Sequence, residues 1–477
     1  MNKNYNNKIL ISSTSFLLVA LMLLGGCSTN QESNSNSTSN INSASNSTSI
    51  APDINSNNLS INYYHDTTIK NCAEGLVLIQ KSNTFNDNIK KISLKWGDDT
   101  TPFEDYDALI IFDNMNASEF EYNFKKNALI PLKATKLWVI AYDNNDEIID
   151  KASKGMAEYK KDSELLYEFQ VISDQQVSTG SPCFYRRSKK AFEDIKENSP
   201  KSSLIAVNGD IVDEAKAENY DSFFNSFDTV FKDTNQKMTI GLGNHEFIIQ
   251  SENGYYQGVS EEELNQRYET RLNLWKSKTG NTSQYFYEVI NDSYFIYLGT
   301  TSIPKALDGN TRADATLGKE QIEWLKNTME KAGETNKPIY LFSHGSLRDT
   351  VSGSLTRLNQ TWYGYTIDEE NQIRNIIKNY PQTLFFSSHS HWSFESEQSY
   401  LISDNYPSFF NTAAVGYLWE GTGGGKHYKD GTYENGGAQG LYLEVYEDQI
   451  IIKGREFEDV DQTSKYWFSN YQVVLPL

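Results

Sequence analysis

The apolar positions of this 477-residue chain fall into three textures. An apolar run, interrupted at Ser12-Ser13-Thr14-Ser15, occupies 9–24. From Leu59 to about Lys161, short runs are separated by turn residues. Gly75-Leu76-Val77-Leu78-Ile79, Ile92-Ser93-Leu94-Lys95-Trp96, Ala108 to Phe112 and Lys136 to Ala141 read as strands, with Gly97-Asp98-Asp99 and Asp143 to Asp146 as turns. No helical spacing of convincing length occurs there. After about Tyr167 the texture changes again, and four- to six-residue apolar runs alternate with helical spacing, as in an α/β layer fold. Helices are predicted over Arg187–Asn198, Gly318–Lys331 and Glu369–Asn379; in the second, Ile322, Leu325 and Met329 share a face, and Pro381 stops the third. Leu441–Tyr446 and Gln449–Lys453, split by Glu447-Asp448, read as a closing hairpin.

These textures divide the chain at 1–26, 27–58, 59–165 and 166–477. The first apolar run follows Lys3 and Lys8 and is too short for a spanning helix, so it reads as a targeting segment. It closes on Leu24-Gly25-Gly26-Cys27, which resembles the lipobox of bacterial lipoproteins. The resemblance implies a signal peptide over 1–26, cleavage before Cys27, lipidation of its thiol and an anchor on the extracellular face of the cell membrane. Residues 27–58 are rich in Ser and Asn, cannot bury enough apolar surface to fold, and read as a disordered tether. Residues 59–165 read as a small all-β sandwich, immunoglobulin-like or fibronectin-like, with no partner identifiable. Cys72 and Cys183 are the remaining cysteines; a bridge between them is permitted outside the cytoplasm but not expected, since they fall in different regions.

The chemistry sits where the later strand runs end. Phe169 to Ser173 leads to Asp174-Gln175-Gln176, and Leu204 to Asn208 leads to Gly209-Asp210. Lys237 to Ile240 leads through Gly241-Leu242-Gly243 to Asn244-His245-Glu246. Ile339 to Ser343 leads to His344, and Leu384 to Ser388 leads to His389-Ser390-His391. Four of the six histidines lie in these clusters. Asp, Asn and His suit divalent manganese, iron or zinc, and a pair of such ions can clamp a phosphoryl group. If the segments stay extended, residues i and i+2 face the same way, which aims Asp174 with Gln176, and His389 with His391, into one site. Each cluster alone is more often a turn or a surface feature than a site; five in this order are not.

This set resembles the calcineurin-like metallophosphoesterase superfamily, whose pattern runs Asp-x-His, Gly-Asp, Gly-Asn-His-Glu/Asp, His, Gly-His-x-His. Two positions depart from it: Gln176 stands for the first histidine and Ser388 for the last glycine. The resemblance spans roughly Tyr167 to Arg455. It implies a four-layer α/β/β/α sandwich and two divalent metal ions, manganese, iron or zinc. Asp174, Gln176, Asp210 and His391 would hold one ion; Asp210, Asn244, His344 and His389 would hold the other. It further implies hydrolysis of phosphomonoesters, phosphodiesters or nucleotides by a hydroxide activated between the ions, with His245 as general acid oriented by Glu246. Asp213 reads as a helix cap or a supporting group rather than a ligand.

Composition narrows the partners. The formal charge is −20, which argues against a nucleic-acid surface but not against a small phosphate ester at bound cations. Arg348 is a substrate-phosphate candidate but reads better as an ion-pair partner. Trp362, Trp392 and Trp419 could stack on a ring but read better as packing. The glycine-rich stretch from Gly421 to Gly440, with His427, reads as a lid. A second reading keeps the fold without turnover, as a surface-binding or adhesion lipoprotein; His245, which metal binding alone does not need, speaks against it.

Overall fold

The computed structural model describes residues 50–477 except 66–68, 86–87, 157–158, 160–162, 250–258, 304, 308–310, 314, 361–363, 421–424, 427–436, 460–461 and 463. The leader, Cys27, most of the tether, Trp362, His427 and most of the glycine-rich stretch therefore lie outside the described residues. No helix among the described residues is long and apolar enough to cross a membrane.

Two sheets carry the site. In an eight-stranded sheet, Met238–Ile240, Leu204–Val207 and Leu165–Ile172 run parallel. The sheet continues antiparallel through Ala438–Tyr446, Gln449–Glu458 and Tyr466–Pro476, and ends on the short strands Ala128–Leu129 and Cys72–Ala73. In a six-stranded sheet, Ser293–Tyr297, Ile339–Ser343, Thr383–Ser387 and Ser408–Asn411 are parallel, flanked by Phe286–Ile290 and Tyr400–Leu401. The parallel strands read as continuous apolar runs because both their faces are covered.

Three cores explain that covering. Phe169, Val171, Ala206, Phe295, Tyr340, Phe342, Phe386, Phe410, Leu443 and Ile452 meet between the sheets. Ring centroids only 4.6 Å apart for Phe295–Tyr340 and for Tyr297–Phe342 show how closely that core packs, and it absorbs much of the chain's aromatic content. The alternate residues Ile172, Ile205, Val207 and Ile240 turn the other way, against helices α1 (Pro182–Asn198), α2 (Ala217–Phe231) and α3 (Glu261–Thr279). Ile296, Ile339, Leu341 and Phe385 likewise face α4 (Gly318–Glu334) and α5 (Ile367–Ile377). Helix α2 buries Tyr220, Phe223, Val230 and Phe231, whereas α3 carries no apolar stripe strong enough to stand out in the sequence. Helix α3 is instead bounded by caps: Ser260 accepts from the Glu263 amide at its start, and left-handed Gly280 closes it.

Between Leu59 and Gly155 every described element is a strand. Leu59–His65, Gly75–Lys81 and Glu119–Asn123 form one sheet, and Ile110–Phe112, Lys91–Gly97, Lys136–Tyr142 and Ile148–Gly155 another. Their shared core takes in Tyr446, Ile451 and Val474 from the eight-stranded sheet. Residues 48–477 thus form one compact unit. Cys72 and Cys183 are both buried as thiols, with no disulfide between them.

The seam is also stitched by backbone: Trp467 N–H donates to Asp105 O at 2.9 Å, and Ser469 N–H donates to the Asp107 carboxylate at 2.6 Å. Burial pushes Asp107 up to about 7, against the pull of that amide. Because the folded state holds this proton more tightly than the unfolded chain does, Asp107 stabilises fully below about pH 4, and its contribution is lost as pH rises through 7. Urea unfolding at pH 5 and pH 8 should show wild type losing up to a few kcal/mol more than Asp107→Asn across that interval. Equal losses in the two proteins would show that Asp107 ionises freely in the fold.

Candidate metal centre

All five ligand-bearing segments leave their strands at the same edge of the two sheets. Asp174 and Gln176 follow Ile172, Asp210 follows Val207, and Asn244 follows Ile240, all from the eight-stranded sheet. His344 follows Ser343 and His389 follows Ser387, from the six-stranded sheet. Asn208 ties the two sheets together there. Its side-chain amide donates to Ser343 O at 2.9 Å and to Phe386 O at 3.3 Å, and its own carbonyl accepts from His344 Nδ1 at 2.8 Å. Ser388, at the position of the family's glycine, places its hydroxyl 2.9 Å from that same carbonyl.

The segments are not extended where the ligands sit. Asp174, Gln176, Asp210, His389 and His391 have φ of 52°, 46°, 54°, 65° and 58°. Left-handed backbone at each of these residues, rather than the alternation of a strand, aims the paired side chains inward. Such conformations persist only where the surroundings over-determine them. Gly209, at φ 88°, completes the turn, and a Cβ on Gly243 would stand 2.2 Å from Asp210 Oδ1.

The result is two donor groups that share one residue. Ligand atoms of Asp174, Asp210 and His391 lie within 4.8 Å of one another, as do those of Asp210, His344 and His389. All five side chains are buried. Gln176 lies beside the first group, its amide nitrogen 3.4 Å from His391 Nε2, and Asn244 beside the second, its Oδ1 3.0 Å from His344 Nε2.

The donor chemistry of these groups fits divalent cations. His344 Nδ1 and His391 Nδ1 face the carbonyls of Asn208 and Tyr417 at 2.8 and 3.0 Å. A carbonyl only accepts, so each Nδ1 carries the proton and the neutral ring presents the Nε2 lone pair. That lone pair faces a carboxylate oxygen: His344 Nε2 is 3.1 Å from Asp210 Oδ2, and His391 Nε2 is 3.0 Å from Asp174 Oδ1. Neither oxygen receives a hydrogen bond of good geometry. Acceptors aimed at acceptors in a buried site require a positive charge between them, a proton or a metal ion. The demand is visible at His344: burial alone would lower its pKa, but Asp210 and Asp174 reverse this and hold it up at about 10. Burial likewise opposes ionised Asp210, and the His344 and His245 rings overcome it, keeping Asp210 below the ordinary carboxylate range.

His245 stands apart from the two groups. Its amide donates to Asp210 Oδ1 at 2.7 Å, and its ring Nδ1 donates to Asp213 O at 2.7 Å. The side chain is 20 % exposed, so the ring reaches the open side of the site. Burial lowers its pKa, but the Asp210 charge, the Asp213 carbonyl and the Asp213 charge raise it above the ordinary histidine value.

Against the expectation that Glu246 orients His245, the Glu246 carboxylate makes its hydrogen bonds elsewhere. It accepts the amides of Gly243 at 2.7 Å, Ile211 at 2.9 Å and Asp210 at 3.0 Å, which fixes the two turns that carry Asp210 and Asn244. Burial and the Asp210 charge push it up to about 7. The group beside His245 is Asp213, which caps no helix; Gly-Asp-Ile-Val-Asp already placed it within reach in the sequence. Arg348 pairs with Glu370, which Arg374 also holds, so it braces the loop after His344. Trp392 is buried and stacks on Trp419, centroids 6.2 Å apart.

Glu246→Ala leaves three buried N–H groups without their acceptor. It should cost about 3 kcal/mol or more in urea unfolding, at roughly 1–3 kcal/mol per unsatisfied group. Glu246→Gln, which keeps an acceptor oxygen, should cost less. A loss under about 1 kcal/mol in the alanine variant would mean that the turns hold without Glu246.

Residues 169–393 match the calcineurin-like phosphoesterase family, and every residue of the two donor groups falls inside that span. No curated protein sequence matches the chain. Among solved structures, a dimetal phosphatase from Danio rerio aligns at 12% identity over 64% of this chain and 99% of its own, with a TM-score of 0.42. A purple acid phosphatase from yellow lupin (Lupinus luteus) seeds aligns at 12% identity over 86% of this chain and 73% of its own, with a TM-score of 0.40. Vacuolar Protein Sorting 29 from Cryptosporidium parvum aligns at 8% identity over 66% and 100%, with a TM-score of 0.26. The part of the chain that bears the five clusters, residues 169–393, is thus similar to the calcineurin-like phosphoesterase family.

Proposed function

We propose that this protein is a hydrolase of phosphate esters that works with two divalent cations. The observation that carries the reading is Asp210, shared by two buried donor groups in which imidazole lone pairs and carboxylate oxygens face one another. Asp174, Gln176, Asp210 and His391 hold one ion, and Asp210, Asn244, His344 and His389 the other. When bound, such a pair supplies positive charge to the phosphoryl oxygens and lowers the pKa of water to yield a nucleophile at neutral pH. The chain's own part is to fix the site and move a proton. Asn208 and Tyr417 orient the rings of His344 and His391 through their carbonyls. Asp213 holds His245 by Nδ1, leaving Nε2 to protonate the departing ester oxygen. The raised pKa of His245 favours the form that can give that proton.

The order of the three cores supports the four-layer α/β/β/α arrangement that the resemblance implies, and the strands from Leu59 to Gly155 support a β-sandwich packed against it. The lipobox-like Leu24-Gly25-Gly26-Cys27 supports a signal peptide, lipidation at Cys27 and a place on the outer face of the cell membrane. There the substrate is a small extracellular phosphate ester.

Purified protein loaded with manganese, iron or zinc should hydrolyse p-nitrophenyl phosphate or bis-p-nitrophenyl phosphate, and the preferred ester assigns the subclass. Asp210→Asn should abolish turnover. His245→Ala should lower kcat by about 100- to 10,000-fold while metal content stays at the wild-type level. Two bound ions per chain without turnover of any ester would favour the surface-binding reading instead. At Gln176 an amide oxygen takes the place of an imidazole, a harder donor that leans the site from zinc toward manganese or iron. Zinc titration of Gln176→His should show tighter binding than wild type; unchanged binding would remove residue 176 from the ligand set.

A further inference from the structure

The segment Val415–Trp419 lies outside the five clusters, yet both arms of the first donor group rest on it. Val415 N–H donates to Ser173 O at 3.0 Å, and Gly416 N–H donates to Asp174 O at 2.7 Å. On the other arm, Tyr417 O accepts from His391 Nδ1 at 3.0 Å, and Trp419 N–H donates to His391 O at 2.7 Å. The Tyr417 ring also lies against the His391 ring, with centroids 4.2 Å apart. Asp174, Gln176 and His391 all have left-handed backbone, so this segment is part of what over-determines them.

The segment is itself held from below. Arg187, on α1, is fully buried, and its Nη1 donates to Gly416 O at 2.6 Å. Its Nε donates to the buried Glu458 carboxylate at 3.4 Å, which Arg186 and Lys190 also approach at 2.9 and 2.7 Å. Glu458 thus pairs with three cations, and Arg187 reaches on from it to the segment. Burying a guanidinium is costly unless its donors are used, and here one goes to the peptide beneath Asp174. There is no slack in that contact: a Cβ on Gly416 would stand 2.8 Å from Asp174 O and 3.0 Å from Gln175 O.

We propose that Arg187 is a positioning residue for the metal held by Asp174, Gln176, Asp210 and His391, acting through Gly416, and that it does not act on the metal held by Asp210, Asn244, His344 and His389. The inference rests on the two-metal reading of the site. Its signature is asymmetric: removing Arg187 weakens one site of the pair.

The test is manganese titration of the full chain by calorimetry, with bound metal counted by mass spectrometry. Wild type should take two ions. Arg187→Met should keep one at wild-type affinity and bind the other roughly 10- to 100-fold more weakly, the range seen when a group supporting a ligand is lost. Arg187→Lys, which keeps one donor, should fall between. Gly416→Ala, which disturbs the same contact from the opposite side, should weaken the same site. The double variant Arg187→Met/Glu458→Gln removes the guanidinium and its partner charge together and covers the case in which Arg187→Met alone fails to fold. Folded variants that bind both ions as wild type does would overturn the proposal and leave the two-metal reading standing. Equal weakening of both sites, or unfolding of both Met variants, would mark Arg187 as a general structural residue and also overturn it. A wild type that takes no pair of ions would overturn the two-metal reading, and the proposal with it.

Discussion

Two buried carboxylates that need positive charge set the terms for this fold. Asp174 and Asp210 sit together out of water, and isolated ionised groups in that setting are costly. Backbone carbonyls claim the Nδ1 protons of the neighbouring imidazoles, so a proton or a metal ion must stand where each Nε2 faces a carboxylate. A protein that keeps this arrangement keeps it for a cation. The left-handed turns, the close approach of Gly243 to Asp210 and the three amides on Glu246 are the means of holding it.

The site also depends on two sheets meeting at one edge. Neither sheet carries a full donor set: Asp174, Asp210 and Asn244 come from one, His344, His389 and His391 from the other. Aromatic packing between the sheets sets their spacing, and Asn208 bonds across the gap beside the metal-binding residues. Change in that spacing would pull the donor groups apart before it exposed any core residue. The close ring contacts therefore serve geometry as well as stability.

Charge elsewhere near the site is committed to structure. Arg348 and Arg374 share Glu370, and Arg186, Arg187 and Lys190 share Glu458. Neither cluster offers a cation to a substrate phosphate. His245, in contrast, is partly exposed, anchored by Asp213 and positioned by its own amide on Asp210. The backbone of His245 and the two donor groups are thus joined through one carboxylate.

The sequence by itself determined the elements that periodicity and ligand chemistry can encode. The apolar runs before Asp174, Asp210, Asn244, His344 and His389 are strands, α1 and α4 contain the stretches their spacing marked, and α5 ends at Ile377, ahead of Pro381. Helix α2 does carry an apolar face, with Tyr220, Phe223, Val230 and Phe231 buried, whereas α3 has none that stands out, and its Ser260–Glu263 cap and Gly280 are the available signal. Tertiary structure decided what depends on residues distant in the chain. Asp174 and His391 meet although 217 positions separate them, and Arg187 reaches Gly416. No local pattern marks Gly416 as the peptide beneath Asp174. Glu246 shows the same limit: adjacency to His245 suggested a pair, but a carboxylate in a tight turn takes the nearest unpaired amides, and those belonged to Asp210, Ile211 and Gly243. Residue types and order are local facts that a chain can carry in its sequence; which hydrogen bond each group makes is settled only once the sheets have packed.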